Sequence, residues 1–178
     1  MSGAILLGDS ILKRLFLEFP DSFDCVSAVT AVSGQTAYEL KYVVKANRKL
    51  ICSHPVVVHI GTNDFLVGVE LANLCNTVRS LVKLLRRLKC EVRLLEITPI
   101  ARWGSSAETQ AAICQFNKFL RSFNGSSRVI VIDIFSLFLN KEGVVDNSLF
   151  CSHIGKYRRV DLVHPNSKGL HVIRKALD

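Results

Sequence analysis

The sequence predicts an α/β fold in which helices cover both faces of a parallel sheet. Apolar segments of strand length alternate with segments of helix length along the chain, which is typical of repeated strand–helix–strand units. Segment 55–60 is an apolar run of the kind found in parallel strands that are buried on both faces. Segment 69–89 carries leucine and valine at the helical period, so one face of this helix is expected to be buried.

Five strands and five helices are predicted from this alternation. The strands cover 4–7, 25–29, 55–60, 91–97 and 128–134. The helices cover a segment that begins after Ser10, then 36–50, 69–89, 105–123 and a segment that begins near Ser167. Ser105 and Glu108 form a capping-box pattern at the start of the fourth helix, and a long polar loop is expected before Asp161. The chain shows no linker and no internal repeat, which predicts a single domain over 1–178, either a whole protein or a domain cut from a longer one.

The composition narrows the class of protein. The chain has 178 residues, 49% of them hydrophobic, which excludes a disordered tail and a coiled coil. Its longest apolar runs have strand length, well short of the roughly 20 residues that a membrane helix needs. The first residues lack the layout of a signal peptide, so an intracellular protein is expected.

Six single cysteines fit the same setting, with no spacing typical of a zinc site. They are Cys25, Cys52, Cys75, Cys90, Cys114 and Cys151. They are expected to be reduced thiols in the core, although an even count also permits disulfides.

Polar residues follow the predicted strands at four places. Gly8-Asp9-Ser10 follows the first strand, Ser33-Gly34 the second, and Gly61-Thr62-Asn63-Asp64 the third, while Asp161-Leu162-Val163-His164 precedes the last helix. Because active sites of such sheets lie at the carboxyl ends of the strands, these segments are expected to meet at one edge.

The four segments contain the parts of an acyl-transfer enzyme. A serine hydroxyl needs a base to accept its proton and a carboxylate to orient that base, and Ser10, His164 and Asp161 can take these three roles. An oxyanion hole needs hydrogen-bond donors, for which the Ser10 N–H, the Gly34 N–H and the Asn63 side chain are candidates.

Structural roles are the alternatives for several of these polar residues. Ser10 could act as a helix N-cap, Asn63 as a turn residue, and Asp161 and His164 as a surface ion pair. Two carboxylates, Asp9 and Asp64, are expected to fix loops rather than react. The histidine of the third strand, His59, is expected to be a hydrogen-bonded core residue, and Trp103 either walls an acyl pocket or lies on the surface.

These motifs resemble the SGNH hydrolases, also called the GDSL esterase and lipase superfamily. The Gly8-Asp9-Ser10 block, Gly34, the Gly61–Asp64 block and the Asp161-x-x-His164 block occur in the family's order over nearly the whole chain, with Ile11 in place of the leucine of the GDSL name. The resemblance implies a flavodoxin-like, three-layer α/β/α fold with a five-stranded sheet. It also implies a metal-independent serine esterase without a cofactor, in which Ser10, His164 and Asp161 form the triad and Ser10, Gly34 and Asn63 the oxyanion hole. A short-chain acyl ester is the expected substrate.

Basic residues suggest a second function, because Lys and Arg number 23 against 15 Asp and Glu, a net charge of +8. Four cations lie opposite the leucine stripe of the third predicted helix: Arg79, Lys83, Arg86 and Arg87. Similar groups occur on the preceding helix and before Asp161: Lys41, Lys45, Arg48 and Lys49, then Lys156, Arg158 and Arg159. They either form solvated faces or bind RNA or an anionic membrane, and no interleaved aromatic residues were identified that would favour binding. Within the same superfamily, an Oskar-like domain that has lost the catalytic residues binds RNA, whereas retrotransposon-type domains keep an esterase beside nucleic-acid-binding segments.

Overall fold

Five parallel strands form the central sheet of the protein. A computed structural model describes residues 4–20, 26–103, 107–155 and 159–177. The strands are β1 (Ala4–Gly8), β2 (Val26–Ala31), β3 (Pro55–His59), β4 (Glu91–Leu95) and β5 (Val129–Ile132), in the spatial order β2-β1-β3-β4-β5. Every neighbouring pair in this sheet is parallel. The predicted five-stranded α/β architecture is therefore confirmed.

Helices pack on both faces of the sheet. They are α1 (Ser10–Glu18), α2 (Ala37–Ala46), α3 (Arg48–Ile51), α4 (Thr62–Leu66), α5 (Leu71–Arg87), α6 (Ala107–Arg121) and α7 (Ser167–Leu177). Helices α2, α5 and α6 share one hydrophobic core with the sheet, while α1 and α7 share the other. In β1, Ile5 and Leu7 enter the first core and Leu6 enters the second, as the two-residue period of a strand requires.

The carboxyl ends of three strands lie side by side. Gly8, the last residue of β1, is in register with Ala31 of β2 and His59 of β3. A side chain at Gly8 would collide with the carbonyl oxygen of His59, so this close approach requires glycine. The loops that follow β1, β2 and β3 therefore start from one short line at the sheet edge.

The structure differs from the predicted elements in three segments. A short helix, α4, forms over Thr62–Leu66, where only a polar segment was expected. The helix predicted over 36–50 is divided at Asn47, whose φ of −102° and ψ of +20° depart from helical values although its backbone N–H still donates to the Val43 carbonyl at 3.0 Å. The loop predicted before Asp161 contains a two-stranded antiparallel hairpin, β6 (His153–Ile154) with β7 (Arg159–Val160). The predicted cap at Ser105 lies outside the described residues.

The cysteines are less buried than predicted. Cys52, Cys75, Cys90, Cys114 and Cys151 are free thiols, whereas Cys25 lies outside the described residues. Cys90 is buried, but Cys52 and Cys114 are exposed, so the expectation of core thiols was wrong for these two. Among the helices of the described residues, none has the length and apolarity to cross a membrane.

Candidate active site

Three side chains from distant parts of the chain form a hydrogen-bonded series at the carboxyl edge of the sheet. Ser10 Oγ lies 2.9 Å from His164 Nε2, and His164 Nδ1 lies 2.9 Å from Asp161 Oδ1 and 3.0 Å from Oδ2. Because an ionised carboxylate only accepts hydrogen bonds, Nδ1 carries the proton and Nε2 accepts from the Ser10 hydroxyl. Asp161 is 3% exposed, so its bond to the imidazole is shielded from water.

The position of Ser10 is fixed by the residue before it. Asp9 is the N-cap of α1, and its Oδ1 accepts from Ile11 N at 2.9 Å and lies 3.0 Å from His59 Nδ1. Ser10 is therefore the first residue of the helix and not its cap, which contradicts the capping alternative considered for it. At this position its backbone N–H has no partner within the helix and is available to an oxyanion.

The loop that carries Asp161 and His164 is held by backbone bonds on both sides. Asp161 Oδ1 accepts weakly from the backbone N–H groups of Val163 and His164, at 3.3 and 3.4 Å. Cys151 N donates to the His164 carbonyl at 2.8 Å, and Leu162 N donates to the Cys151 carbonyl at 2.8 Å. These hydrogen bonds fix the turn that carries the His164 imidazole.

The predicted oxyanion residues follow the two strands that flank β1. Gly34 lies in the loop between β2 and α2, and Asn63 lies in the first turn of α4, after β3. Gly34 has φ +83°, a left-handed conformation that glycine adopts without strain. Asn63 Nδ2 donates one hydrogen to the Gln35 carbonyl at 2.9 Å, which leaves its second amide hydrogen for another acceptor. Ala37 N, at the start of α2, donates to the Asp64 carboxylate of α4 at 3.0 and 3.2 Å. These bonds connect the two segments that carry Gly34 and Asn63.

Asp64 is a structural residue, as predicted, with an altered titration. Burial raises its pKa to about 6, although the hydrogen bond from Ala37 N acts in the opposite direction. Its carboxylate is buried and connects the start of α2 to α4. Asp64 therefore positions α4, which carries Asn63, and does not take part in the Ser10 series.

Two further contacts of the site lie between residues that are far apart in the sequence. Arg14, on α1, places its guanidinium 4.0 Å from Asp161 Oδ2 and donates to Cys151 Sγ at 3.3 Å. The Asp9–His59 pair is fully buried, and His59 Nε2 has no hydrogen-bond partner in the described structure. Only the buried position of His59 in an apolar strand could have indicated its role. Among the described residues, no three His, Cys, Asp or Glu side chains form a group suited to a metal ion.

The predicted basic residues lie apart from this edge. The four cations of α5, Arg79, Lys83, Arg86 and Arg87, are exposed, and Arg79 also lies over the Phe119 ring, 5.2 Å from its centroid. On the preceding helices, Lys45, Arg48 and Lys49 are exposed and Lys41 is half-buried. The side chains of Trp103 and Arg159 and all of Lys156 and Arg158 lie outside the described part of the structure.

Exposed aromatic residues accompany the cations of α2. Tyr38 and Tyr42 are 58% and 53% exposed, with ring centroids 5.0 Å apart, and Lys45 lies over the Tyr42 ring. These residues are spaced by four and three positions, which places them on one helix face. The expectation that no aromatic residues are interleaved with the cations was therefore wrong for α2.

Comparison with known proteins separates fold from family. The model of the OSK domain matches residues 3–172. The chain belongs to the OSK domain family. The maternal effect protein oskar of Drosophila virilis is 31% identical over 90 residues, 51% of this chain, and that of Drosophila melanogaster is 30% identical over 90 residues. The matched regions make up only 15% and 14% of those two proteins.

Solved structures of two kinds share this fold. The OSK domain of Drosophila Oskar superposes with a TM-score of 0.79 at 22% identity, over 97% of this chain and 85% of that one. A putative acylhydrolase from Bacteroides fragilis superposes with a TM-score of 0.78 at 20% identity, over 99% and 84%. A GDSL-like lipase from Bacteroides thetaiotaomicron gives 0.76 at 16% identity, over 99% and 85%. The fold of this OSK domain is thus that of the SGNH and GDSL hydrolases.

Proposed function

We propose that the protein is a serine esterase that hydrolyses short-chain acyl esters through an acyl-Ser10 intermediate. The observation that carries the proposal is the 2.9 Å separation of Ser10 Oγ and His164 Nε2, with Asp161 on the opposite side of the imidazole. Ordinary surface serines lack such a base, and the hydroxyl is a weak nucleophile without one.

The mechanism follows from the direction of the hydrogen bonds. His164 Nε2 accepts the hydroxyl proton while Ser10 Oγ attacks the ester carbonyl carbon, and Asp161 stabilises the imidazolium that forms. The Ser10 and Gly34 N–H groups and the free Asn63 amide hydrogen stabilise the negative oxygen. His164 then protonates the leaving alcohol. Water, activated by the same imidazole, cleaves the acyl-Ser10 bond and restores the hydroxyl.

Hydrolysis of p-nitrophenyl acetate and butyrate tests the proposal directly. We expect Ser10→Ala and His164→Ala each to lower kcat by at least about a thousandfold. Ser122→Ala, which changes an exposed serine at the end of α6, is the matched control and should keep full activity. The parent should also bind a fluorophosphonate probe covalently, and Ser10→Ala should not.

Folding is checked by circular dichroism on every variant. A folded parent without turnover and without probe labelling would refute the esterase proposal. Equal rates for the parent and folded Ser10→Ala would refute the assignment of the nucleophile. The ratio of acetate to butyrate turnover measures the acyl chain that the site accepts.

A second candidate function is the binding of single-stranded RNA on the basic surface. Lys83, Arg86 and Arg87 are exposed and form no ion pair within the described residues. The Tyr38–Tyr42 pair favours RNA over an anionic membrane, because exposed rings beside cations can stack with unpaired bases.

Salt dependence and charge removal test this second function. RNA affinity should fall steeply as salt rises, and Arg79→Gln with Lys83→Gln and Arg86→Gln should reduce both the affinity and the salt slope. Affinity that does not respond to these substitutions would refute RNA binding on α5. Binding to phosphatidylserine vesicles in place of RNA would instead assign the surface to membranes.

A further inference from the structure

A cleft lies at the amino edge of the sheet, opposite the edge that carries Ser10. Its volume is about 640 Å³, within the range of small-molecule sites. Its walls are formed by the first residues of β3, β4 and β5 and by the turn before β5, and they include Glu91, Arg93, Ser126, Arg128 and Ile130. Ile130, in the wall formed by β5, is 60% exposed, so this wall presents an apolar side chain to solvent.

A cationic groove of about 390 Å³ adjoins the cleft. It is lined by Lys83, Arg86 and Arg87 of α5 and by Ser127 and Arg128 of the turn before β5. The lining contains four cations and no carboxylate, and the described residues supply no ion-pair partner to any of the four. Arg128 lines both spaces, so the groove and the cleft meet at this residue.

Arg128 is held at this junction by its backbone. Its φ of +64° lies in the left-handed region that side chains other than glycine seldom adopt. The Arg128 carbonyl accepts from Val92 N at 2.8 Å, and Nη1 contacts the Lys89 carbonyl at 3.4 Å. The backbone bond to β4 keeps Arg128 at the junction despite this unfavourable conformation.

We propose that this surface binds a nucleoside phosphate, with the phosphates in the groove and the base in the cleft. Four cations match a ligand that carries several negative charges. The cleft adds aliphatic walls, an acceptor at Glu91 and donors at Arg93 and Ser126, which suits a heterocycle with polar edges better than a hydrocarbon chain. The proposal rests on the basic surface of α5 described above and names its ligand. A free nucleotide and the end of an RNA strand share this chemistry.

Titration calorimetry with ATP, AMP, inorganic triphosphate and a short single-stranded oligonucleotide tests the proposal. We expect ATP to bind more tightly than inorganic triphosphate, because the triphosphate cannot fill the cleft. Arg128→Gln should weaken ATP binding about tenfold. Ile130→Gln, at an exposed position, removes apolar contact without adding charge and should weaken ATP but not triphosphate. Lys141→Gln, which removes an exposed cation from the loop before Asp161, is the control of equal charge and should bind like the parent.

The outcomes separate this proposal from the proposed functions. Equal affinity for ATP and triphosphate, or equal loss in Arg128→Gln and Lys141→Gln, would overturn it. Oligonucleotide binding that depends on Lys83 and Arg86 without any nucleotide binding would leave the RNA surface standing and overturn the nucleotide site. Weaker binding of ATP but not of triphosphate in Ile130→Gln would support it even if Arg128→Gln failed to fold. Ser10→Ala should bind ATP like the parent, whatever the result of the esterase assay. ATP binding without oligonucleotide binding would identify a free nucleotide as the source.

Discussion

Replacement of Asp9 tests whether the position of Ser10 depends on the hydrogen bonds behind it. Asp9 Oδ1 caps α1 through Ile11 N and also faces His59 Nδ1, and both side chains are fully buried. Asp9→Ala removes the cap and leaves the His59 ring nitrogen without a partner. Asp9→Asn keeps an oxygen at the Oδ1 position, so both bonds survive. The negative charge is lost, and an amide NH2 group takes the place of Oδ2, which has no hydrogen-bond partner in the described structure.

The cost of the alanine variant can be summed from these two losses. A lost side-chain cap costs about 1 kcal/mol. A buried donor without a partner costs about 1–3 kcal/mol. We therefore expect Asp9→Ala to lower the free energy of unfolding by roughly 2–4 kcal/mol, and Asp9→Asn to lower it by less than about 1 kcal/mol.

Urea unfolding followed by circular dichroism measures both variants, and ester turnover is recorded alongside. Thermal unfolding should show a Tm decrease of several degrees for the alanine variant and little change for asparagine. Equal destabilisation by alanine and asparagine would show that the charge matters and the bonds do not. An alanine variant as stable as the parent would refute the role assigned to Asp9.

Three other substitutions give further expected outcomes. Gly61→Ala should destabilise the protein by about 2–4 kcal/mol in urea unfolding, because Gly61 has φ +123° and a Cβ would lie 2.7 Å from the Phe116 ring. Arg121→Ala should destabilise the protein by about 2 kcal/mol at pH 7, because it leaves the buried Glu96 carboxylate without its cation. The loss should be smaller at pH 5, because burial raises the pKa of Glu96 and protonation then removes the unpaired charge. The pKa of Asp64 rises from 3.8 to about 6 on folding, so the folded state binds more protons than the unfolded state between these pH values. The contribution of Asp64 to stability therefore falls as pH rises from 4 to 6. Asp64→Asn should lack this fall, so urea unfolding from pH 4 to 7 should show its stability improving relative to the parent.

The fold could be predicted because hydrophobic periodicity records which faces are buried. Segment 55–60 lies at the centre of the sheet, where both faces of a strand are covered, and its apolar run reflects this position. The interruption at Asn47 could not be predicted from the same signal, because the apolar pattern of 36–50 continues through it. The break lies in the backbone of Asn47, whose φ of −102° and ψ of +20° depart from helical values, while its side chain also donates to the Val43 carbonyl.

The meeting of Ser10 with His164, 154 residues away, could be predicted because both segments were expected at the same edge of the sheet. Asp161 and His164 share one turn, so their spacing already favoured a bonded pair. Contacts that depend on details of packing could not be predicted. The Asp9–His59 bond joins two strands 50 residues apart, and it depends on β1 and β3 being neighbours in register. The contact of Arg14 with Asp161 likewise depends on tertiary packing, which no local pattern in the sequence reports.

Neither the family nor the fold assigns a function to this protein, so the choice between the two proposed functions depends on side-chain chemistry. The chain belongs to the OSK family, yet its identity to the Oskar domain structure, 22%, is close to the 20% that it shares with a putative acylhydrolase. At such identities the superpositions carry the fold and leave the chemistry open. The two proposed functions differ in their need for Ser10, His164 and Asp161. An esterase requires a hydroxyl, an imidazole and a buried carboxylate in hydrogen-bonded series, whereas a binding surface on α5 gains nothing from them. The amino edge of the sheet is strongly cationic, but the carboxyl edge carries this hydrogen-bonded series. We therefore place esterase chemistry first and RNA binding second.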